Sequence, residues 1–163
     1  MHREWVSVFV GLGANLGEAR QTLDAAVKAI AKLPHTRVLN CSSFYRSAPV
    51  DATGPDYINA VLHLETRLNA YEALKAFQSL ENMAGRVRPY RNAPRTLDID
   101  LLLFGDASIQ SPVLTVPHPR MRERAFVLKP LSELSPQRVS VQDLQSVQSQ
   151  AIEKLDASSS DDL

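Results

Sequence analysis

Two aspartates separated by one residue, Asp98-Ile99-Asp100, stand at the head of the apolar run Leu101-Leu102-Leu103-Phe104. In a strand, residues two apart share a face and are roughly 6.5–7 Å apart along the chain. Both carboxylates then point one way, with Ile99, Leu101 and Leu103 expected on the other side. Two such acids repel each other unless positive charge lies between them. A hard cation is one answer, because magnesium takes carboxylates, waters and substrate phosphates as ligands. A solvated strand end that tolerates two acids is the other, and the pair alone leaves both open.

The flanking residues favour the cation. Arg86, Arg88, Arg91 and Arg95 precede the acids, and Arg120, Arg122 and Arg124 follow Pro117-His118-Pro119. Guanidinium forks bind phosphate oxygens bidentately, so a magnesium–triphosphate site would use both signs of charge. A basic solvated face is the plainer alternative. The chain has 18 basic and 18 acidic residues, so two arginine clusters around two aspartates are a local concentration within a neutral protein.

Other positions supply recognition rather than charge. Tyr57 and Asn59 repeat the two-residue spacing, which would set a ring and an amide side by side against a flat heterocycle. A buried aromatic beside a satisfied amide is the alternative. Phe126 could add a second stacking surface. Gln78 and Glu81 fall three apart, on one side of a helix, suited to a ligand or an arginine, or simply exposed. His118, held between prolines, reads equally as a loop residue or a phosphate contact. Gly11-Leu12-Gly13-Ala14-Asn15-Leu16-Gly17 lacks the dinucleotide spacing and is read as a tight strand-to-helix turn; no Walker-type phosphate loop occurs.

The elements that must position these groups follow from periodicity. Trp5 to Leu12 alternates as a strand closed by Gly11 and Gly13. Leu23, Ala26, Val27, Ile30 and Leu33 recur at helical spacing until Pro34. Arg37 to Tyr45 reads as a second strand, and Arg46 to Asp56 as a loop long enough to be functional. Tyr57 to Thr66 is a third strand. A second helix starts at an Asn69/Glu72 capping box, carries Leu74, Phe77 and Leu80, and stops at Gly85. An irregular stretch to Arg95 leads into a strand from Thr96 to Phe104. A short strand at Val113–Val116, a helix from Arg122 to Leu131 ended by Pro130, and a last helix marked by Val141, Leu144, Val147, Ala151 and Leu155 complete the chain. The order β-α-β, β-α-β is the ferredoxin-like split arrangement, an α+β fold with helices on one face of an antiparallel sheet and C-terminal additions.

At 163 residues, residues 1–155 make one expected domain, with the Ser- and Asp-rich 156–163 a disordered tail. Zero net charge offers no global attraction to nucleic acid or an anionic membrane. No apolar stretch approaches bilayer length and no secretory leader is evident, so the cytoplasm is the default. The one cysteine, Cys41, excludes an internal disulfide and is expected to be a small buried residue.

Together, Gly11-Leu12-Gly13-Ala14-Asn15-Leu16, Ser43-Phe44-Tyr45-Arg46, Pro55-Asp56-Tyr57-Ile58-Asn59-Ala60, Gly85-Arg86-Val87-Arg88, Pro94-Arg95-Thr96-Leu97-Asp98-Ile99-Asp100-Leu101 and Val116-Pro117-His118 resemble the 6-hydroxymethyl-7,8-dihydropterin pyrophosphokinases over about residues 6–135. The P-R-T-L-D-I-D block is the most specific of these. The resemblance implies a folate-biosynthesis enzyme, acting as a monomer, that transfers the β,γ-pyrophosphoryl unit of ATP to the pterin's hydroxymethyl oxygen and releases AMP. By the same resemblance, Asp98 and Asp100 hold two magnesium ions, and Val50, Tyr57, Asn59 and Phe126 form the pterin pocket. Gln78, Glu81, Arg88, Arg95, Ile99, Thr115, His118 and Arg124 match positions that hold the nucleotide. Arg86 and Arg95 match catalytic positions on a mobile loop. Two positions depart from the pattern: Asn92 stands where a tryptophan is common, and Val113 where some members carry arginine. These bear on loop closure and nucleotide affinity. A magnesium-dependent nucleotide hydrolase and a non-catalytic ferredoxin-like ligand sensor are the competing readings.

Overall fold

A computed structural model describes residues 3–15, 18–48, 55–85 and 97–156. The strands β1 (Val6–Ala14), β2 (Thr36–Cys41), β3 (Tyr45–Ser47), β4 (Tyr57–Thr66), β5 (Asp98–Phe104) and β8 (Ile152–Lys154) form one antiparallel sheet. Its order is β5-β1-β4-β3-β8, with β2 sharing the β4 edge with β3. A two-stranded ribbon pairs β6 (Ile109–Gln110) with β7 (Thr115–Val116). The helices are α1 (Ala19–Ala31), α2 (Ala70–Gly85), α3 (Ala125–Leu134) and α4 (Val141–Ser146). The β5-β1-β4-β2 order with α1 and α2 as crossovers is the ferredoxin-like arrangement that the sequence predicts.

β1 lies between β4 and β5, so its backbone is paired on both sides and buried on both faces. Val8, Val10, Leu12 and Ala14 pack with Leu23, Ala26 and Ile30 of α1 and with Ala73 and Phe77 of α2. Phe9 and Val61 look the other way, into a second core with Met121, Val127, Leu128 and Leu131. The core helices α1 and α2 therefore cover one face of the sheet, as expected, and α3 covers the other. The C-terminal additions form a second layer because β1 and β4 carry apolar residues on both sides. The capping box at α2 is present: Asn69 Oδ1 accepts from the Glu72 N–H and Glu72 Oε1 from the Asn69 N–H, both at 2.8 Å.

Several boundaries differ from expectation for identifiable reasons. β1 does not close at its glycines but runs through Gly11 and Gly13, because the ladders to β4 and β5 continue to that end. The expected Arg37–Tyr45 strand is two strands. Ser42 replaces a ladder step, its N–H donating to the Val61 carbonyl and its Oγ accepting from the Val61 N–H, both at 2.9 Å, and the chain turns there. β3 then reaches Ser47, inside the span expected to be loop.

A bulge against Phe9/Val10 leaves Leu102 without a register partner, so Leu103 packs beside Leu102 in the second core and not on the face of Ile99 and Leu101. β5 is described from Asp98, Thr96 lying outside the described residues. In the C-terminal third, the short strand expected at Val113–Val116 is Thr115–Val116.

Met121–Glu123 form a 3-10 turn, and α3 runs through Pro130 to Leu134, because burying Leu128, Pro130 and Leu131 outweighs the hydrogen bond lost at the proline. The expected last helix stops at Ser146. Ala151 and Leu155 are not helical, since Ile152–Lys154 satisfies the open edge of β3 as a strand. Cys41 is half-buried, not buried; its Sγ donates to the Ser42 carbonyl, and burial pushes its thiol up to about 11. The tail from residue 157 lies outside the described residues. No helix among the described residues is long and apolar enough to cross a membrane.

Candidate active site

Register sets the site. Directly opposed residues of antiparallel strands share a face, so Asp98 of β5, Gly13 of β1, Asn59 of β4 and Tyr45 of β3 form one row across four strands. The next row places Asp100 opposite Gly11 and Gly11 opposite Val61. On the other side of the first row, Ser47 opposes Tyr57. The two acids therefore share a face with the tyrosine and the asparagine, separated from them by a strand that carries glycine at both positions.

Those glycines form the floor of a cavity of about 480 Å³. Its walls include Tyr57, Asn59, Asp98, Asp100, Arg124 and Phe126, joined by Ser47, Ala48, Arg120, Glu123 and Gln150. A Cβ on Gly13 would come within 3.2 Å of Asn59 Nδ2. Glycine at this position leaves the amide room to lie low over the sheet.

Asn59 is 4% exposed and its Oδ1 accepts the Ser47 hydroxyl at 2.6 Å. With that oxygen occupied, the amide NH₂ is the group left to read a ligand acceptor. Phe126 lies near the start of α3, and the Arg124 guanidinium stands 5.4 Å above its ring. The same guanidinium reaches Asp100 at 3.7 Å, both side chains being partly exposed. Such a pair contributes little to stability. Its consequence is local: the cation over the cavity is held beside one of the two acids.

His118 follows the cis Val116–Pro117 peptide, and its backbone N–H donates to the Leu102 carbonyl at 2.9 Å. Burial holds its imidazole below the ordinary 6.5, with Asp100 opposing and Arg124 and Arg120 reinforcing. Its Nδ1 accepts the Arg120 N–H at 3.2 Å. Glu81 is half-buried and takes the Ile99 N–H at 2.7 Å, tying α2 to the strand of the acids.

The structure thus gathers Tyr57, Asn59, Asp98, Asp100, Arg124 and Phe126 into one cavity. It places Ile99 within the strand of the acids on its core face, Glu81 and His118 beside that strand but not on the cavity lining, Thr115 in the ribbon, and Gln78 exposed on α2. Val50, Arg86, Arg88 and Arg95 lie outside the described residues, as do Arg91 and Asn92. Sequence reasoning missed Ser47, Glu123 and Gln150, and took Gly11 and Gly13 for a turn. The alternation that put Tyr57 and Asn59 on one face would have found the glycines had β1 been extended by two residues.

Among the described residues, no cluster of three or more histidine, cysteine or acidic side chains could hold a metal. Two carboxylates on one face remain. They suit a cation that completes its shell with water and phosphate, and not a closed four-ligand site.

A family model described as 7,8-dihydro-6-hydroxymethylpterin-pyrophosphokinase matches residues 9–136. The 2-amino-4-hydroxy-6-hydroxymethyldihydropteridine pyrophosphokinase of Pseudomonas aeruginosa is 46% identical over 130 residues, spanning 79% of this chain and 80% of its own. That of Haemophilus influenzae is 44% identical over 131 residues, 80% of this chain and 82% of its own. A Plasmodium falciparum HPPK-DHPS crystal structure superposes with a TM-score of 0.67 at 15% identity, over 82% of this chain and 42% of that one, a likeness of fold. With both the family model and these relatives matching over most of its length, the chain belongs to the 7,8-dihydro-6-hydroxymethylpterin-pyrophosphokinase family.

Proposed function

We propose that this chain, acting in the cytoplasm and as one unit over residues 1–155, transfers the pyrophosphoryl group of ATP to 6-hydroxymethyl-7,8-dihydropterin, a step of folate biosynthesis, releasing AMP. One observation carries the reading. A stacking ring, an amide with its oxygen already occupied, two carboxylates and an arginine line a single cavity in a chain of this family. Every one of these groups comes from one chain, so the reading needs no second copy.

The pterin is flat and edged with donors and acceptors. Tyr57 and Phe126 offer it ring faces, and the Asn59 amide reads its edge; Val50, outside the described residues, is a further pterin contact in this reading. Its hydroxymethyl group then lies toward the acids, on the far side of the glycine floor. The hydroxymethyl oxygen attacks the β-phosphorus, the bond from that phosphorus to the bridging oxygen of the α-phosphate breaks, AMP departs with that oxygen and the hydroxyl proton passes to water. Positioning and charge stabilisation carry such transfers. Arg124, held over the cavity beside Asp100, meets charge on the polyphosphate, and Arg86 and Arg95 act with it. Glu81, Gln78, Arg88, Ile99, Thr115 and His118 hold the nucleotide. Asp98 and Asp100 are the residues that would hold magnesium, two ions in this reading. When bound, the metal neutralises polyphosphate charge and orients the reacting oxygens.

The test is AMP formation from magnesium–ATP with and without the pterin alcohol. The proposal expects AMP only when the acceptor is present. Nucleotide breakdown at the same rate without acceptor would establish a hydrolase instead, and binding without turnover a sensor.

A further inference from the structure

Gln150 lies outside the stretch matched by the family model, residues 9–136, yet it lines the cavity. Its side-chain amide makes two hydrogen bonds to one short piece of backbone. Oε1 accepts the Ala125 N–H at 2.8 Å, and Nε2 donates to the Glu123 carbonyl at 2.8 Å. The residue enclosed between those two bonds is Arg124.

The first bond has a local cause. α3 begins at Ala125, and its N-cap position is Arg124, which makes no side-chain cap. The Ala125 N–H is one of the donors that a helix start leaves without an internal partner. Arginine has no acceptor to offer it. Gln150 supplies one from 25 residues away and, through its other end, fixes the carbonyl before the arginine. Two positions after Gln150 the chain enters β8, which pairs with β3, the strand carrying Ser47. Residues 150–154 thus fasten two walls of the cavity at once.

We infer that Gln150 is a positioning residue for substrate binding: its paired hydrogen bonds to Glu123 and Ala125 set the backbone that aims Arg124 at Asp100 and presents Phe126 to the cavity. The inference rests on the pyrophosphokinase reading for what is bound. Both ends of the Gln150 amide are engaged by backbone, so it acts through Arg124 and Phe126. A role confined to capping α3 would alter stability alone.

Gln150→Met keeps the side-chain length and removes both hydrogen bonds; Gln150→Ala removes the side chain as well. The pterin dissociation constant, read by the ligand's fluorescence in the presence of an unreactive ATP analogue, and its KM should both rise about tenfold, the scale of one or two neutral hydrogen bonds. The kcat should fall less than KM rises. A lower kcat at unchanged pterin KM and dissociation constant would overturn the inference, since that is the mark of less folded enzyme. Amide exchange of the unaltered protein supplies a check that no variant can confound: the Ala125 N–H should be protected, and exchange at the rate of a free amide would also overturn it. If the unaltered protein forms no acceptor-dependent AMP, the functional reading fails, and the exchange result still decides whether the clamp exists.

Discussion

Ser47 donates its hydroxyl to Oδ1 of Asn59 at 2.6 Å, and the two residues are 6% and 4% exposed. A buried amide can present either end, and this bond chooses which. Ser47→Ala should leave Oδ1 without its donor, costing about 1–3 kcal/mol of folding stability as a buried acceptor loses its partner. Pterin affinity should fall with it, because the amide is free to turn. Urea denaturation and pterin titration measure the two effects. Gly13→Ala is the companion test: with Asn59 Nδ2 only 3.2 Å from the added methyl, the amide must shift, and pterin binding should weaken while the strand survives. Unchanged pterin affinity in both proteins would refute the assigned role of Asn59.

The acid pair predicts a metal dependence. Asp98→Asn and Asp100→Asn keep side-chain size and remove a ligand charge. Each should lower acceptor-dependent AMP formation by roughly 100-fold or more, the usual scale for one transition-state electrostatic partner. The magnesium concentration giving half-maximal rate should rise in each. Chelation should abolish turnover in the parent protein, and added magnesium restore it. Either variant turning over normally at the parent's magnesium requirement would remove that aspartate from the site. Asp100→Asn also releases Arg124, 3.7 Å away, so its effect should exceed the loss of a ligand alone.

His63 predicts a pH dependence far from the chemistry. Its ring stacks on Phe9 with centroids 4.4 Å apart, and its Nε2 pairs with Ser7 Oγ at 2.8 Å. Burial, with Arg138 adding, holds its pKa below the ordinary 6.5, against a smaller opposing pull from Glu65. The folded state therefore binds the proton less readily than the unfolded chain. Above 6.5 both states are neutral at this residue and it contributes no slope; below 6.5 the unfolded chain takes up the proton first and stability declines. Urea midpoints at pH 8 and pH 5 should differ less in His63→Gln than in the parent. Equal differences would show that the acid sensitivity lies elsewhere.

What could be read from the residues, and what could not, divides along physical lines. Local rules served wherever a segment answers mainly to itself. The alternation of β4, the capping box of α2 and the two-residue spacing of Asp98 and Asp100 all appear as expected. They failed where a neighbour overrides local preference. Gly11 and Gly13 read as a turn because glycine punctuates chains, yet two flanking strands hold them extended. Leu103 obeyed a bulge that no alternation predicts. Residues 152–154 look helical by spacing, but the free edge of β3 decides for a strand. Ser47 and Gln150 escaped notice for a related reason. Each is an ordinary polar residue whose importance comes from a partner 12 or 25 positions away, which only the folded chain brings near.

The layering of the molecule orders its assembly. By Phe104 the ribosome has made every strand from β1 to β5, together with α1 and α2 on one side. The opposite side, with Phe9, Val61 and Leu102, is still bare at that point, and so is the hollow above Gly11 and Gly13. Phe126, Arg124 and Gln150 emerge only afterwards, and the last strand follows them. A truncated translation product can thus own both acids, the tyrosine and the asparagine and still have no roof over them.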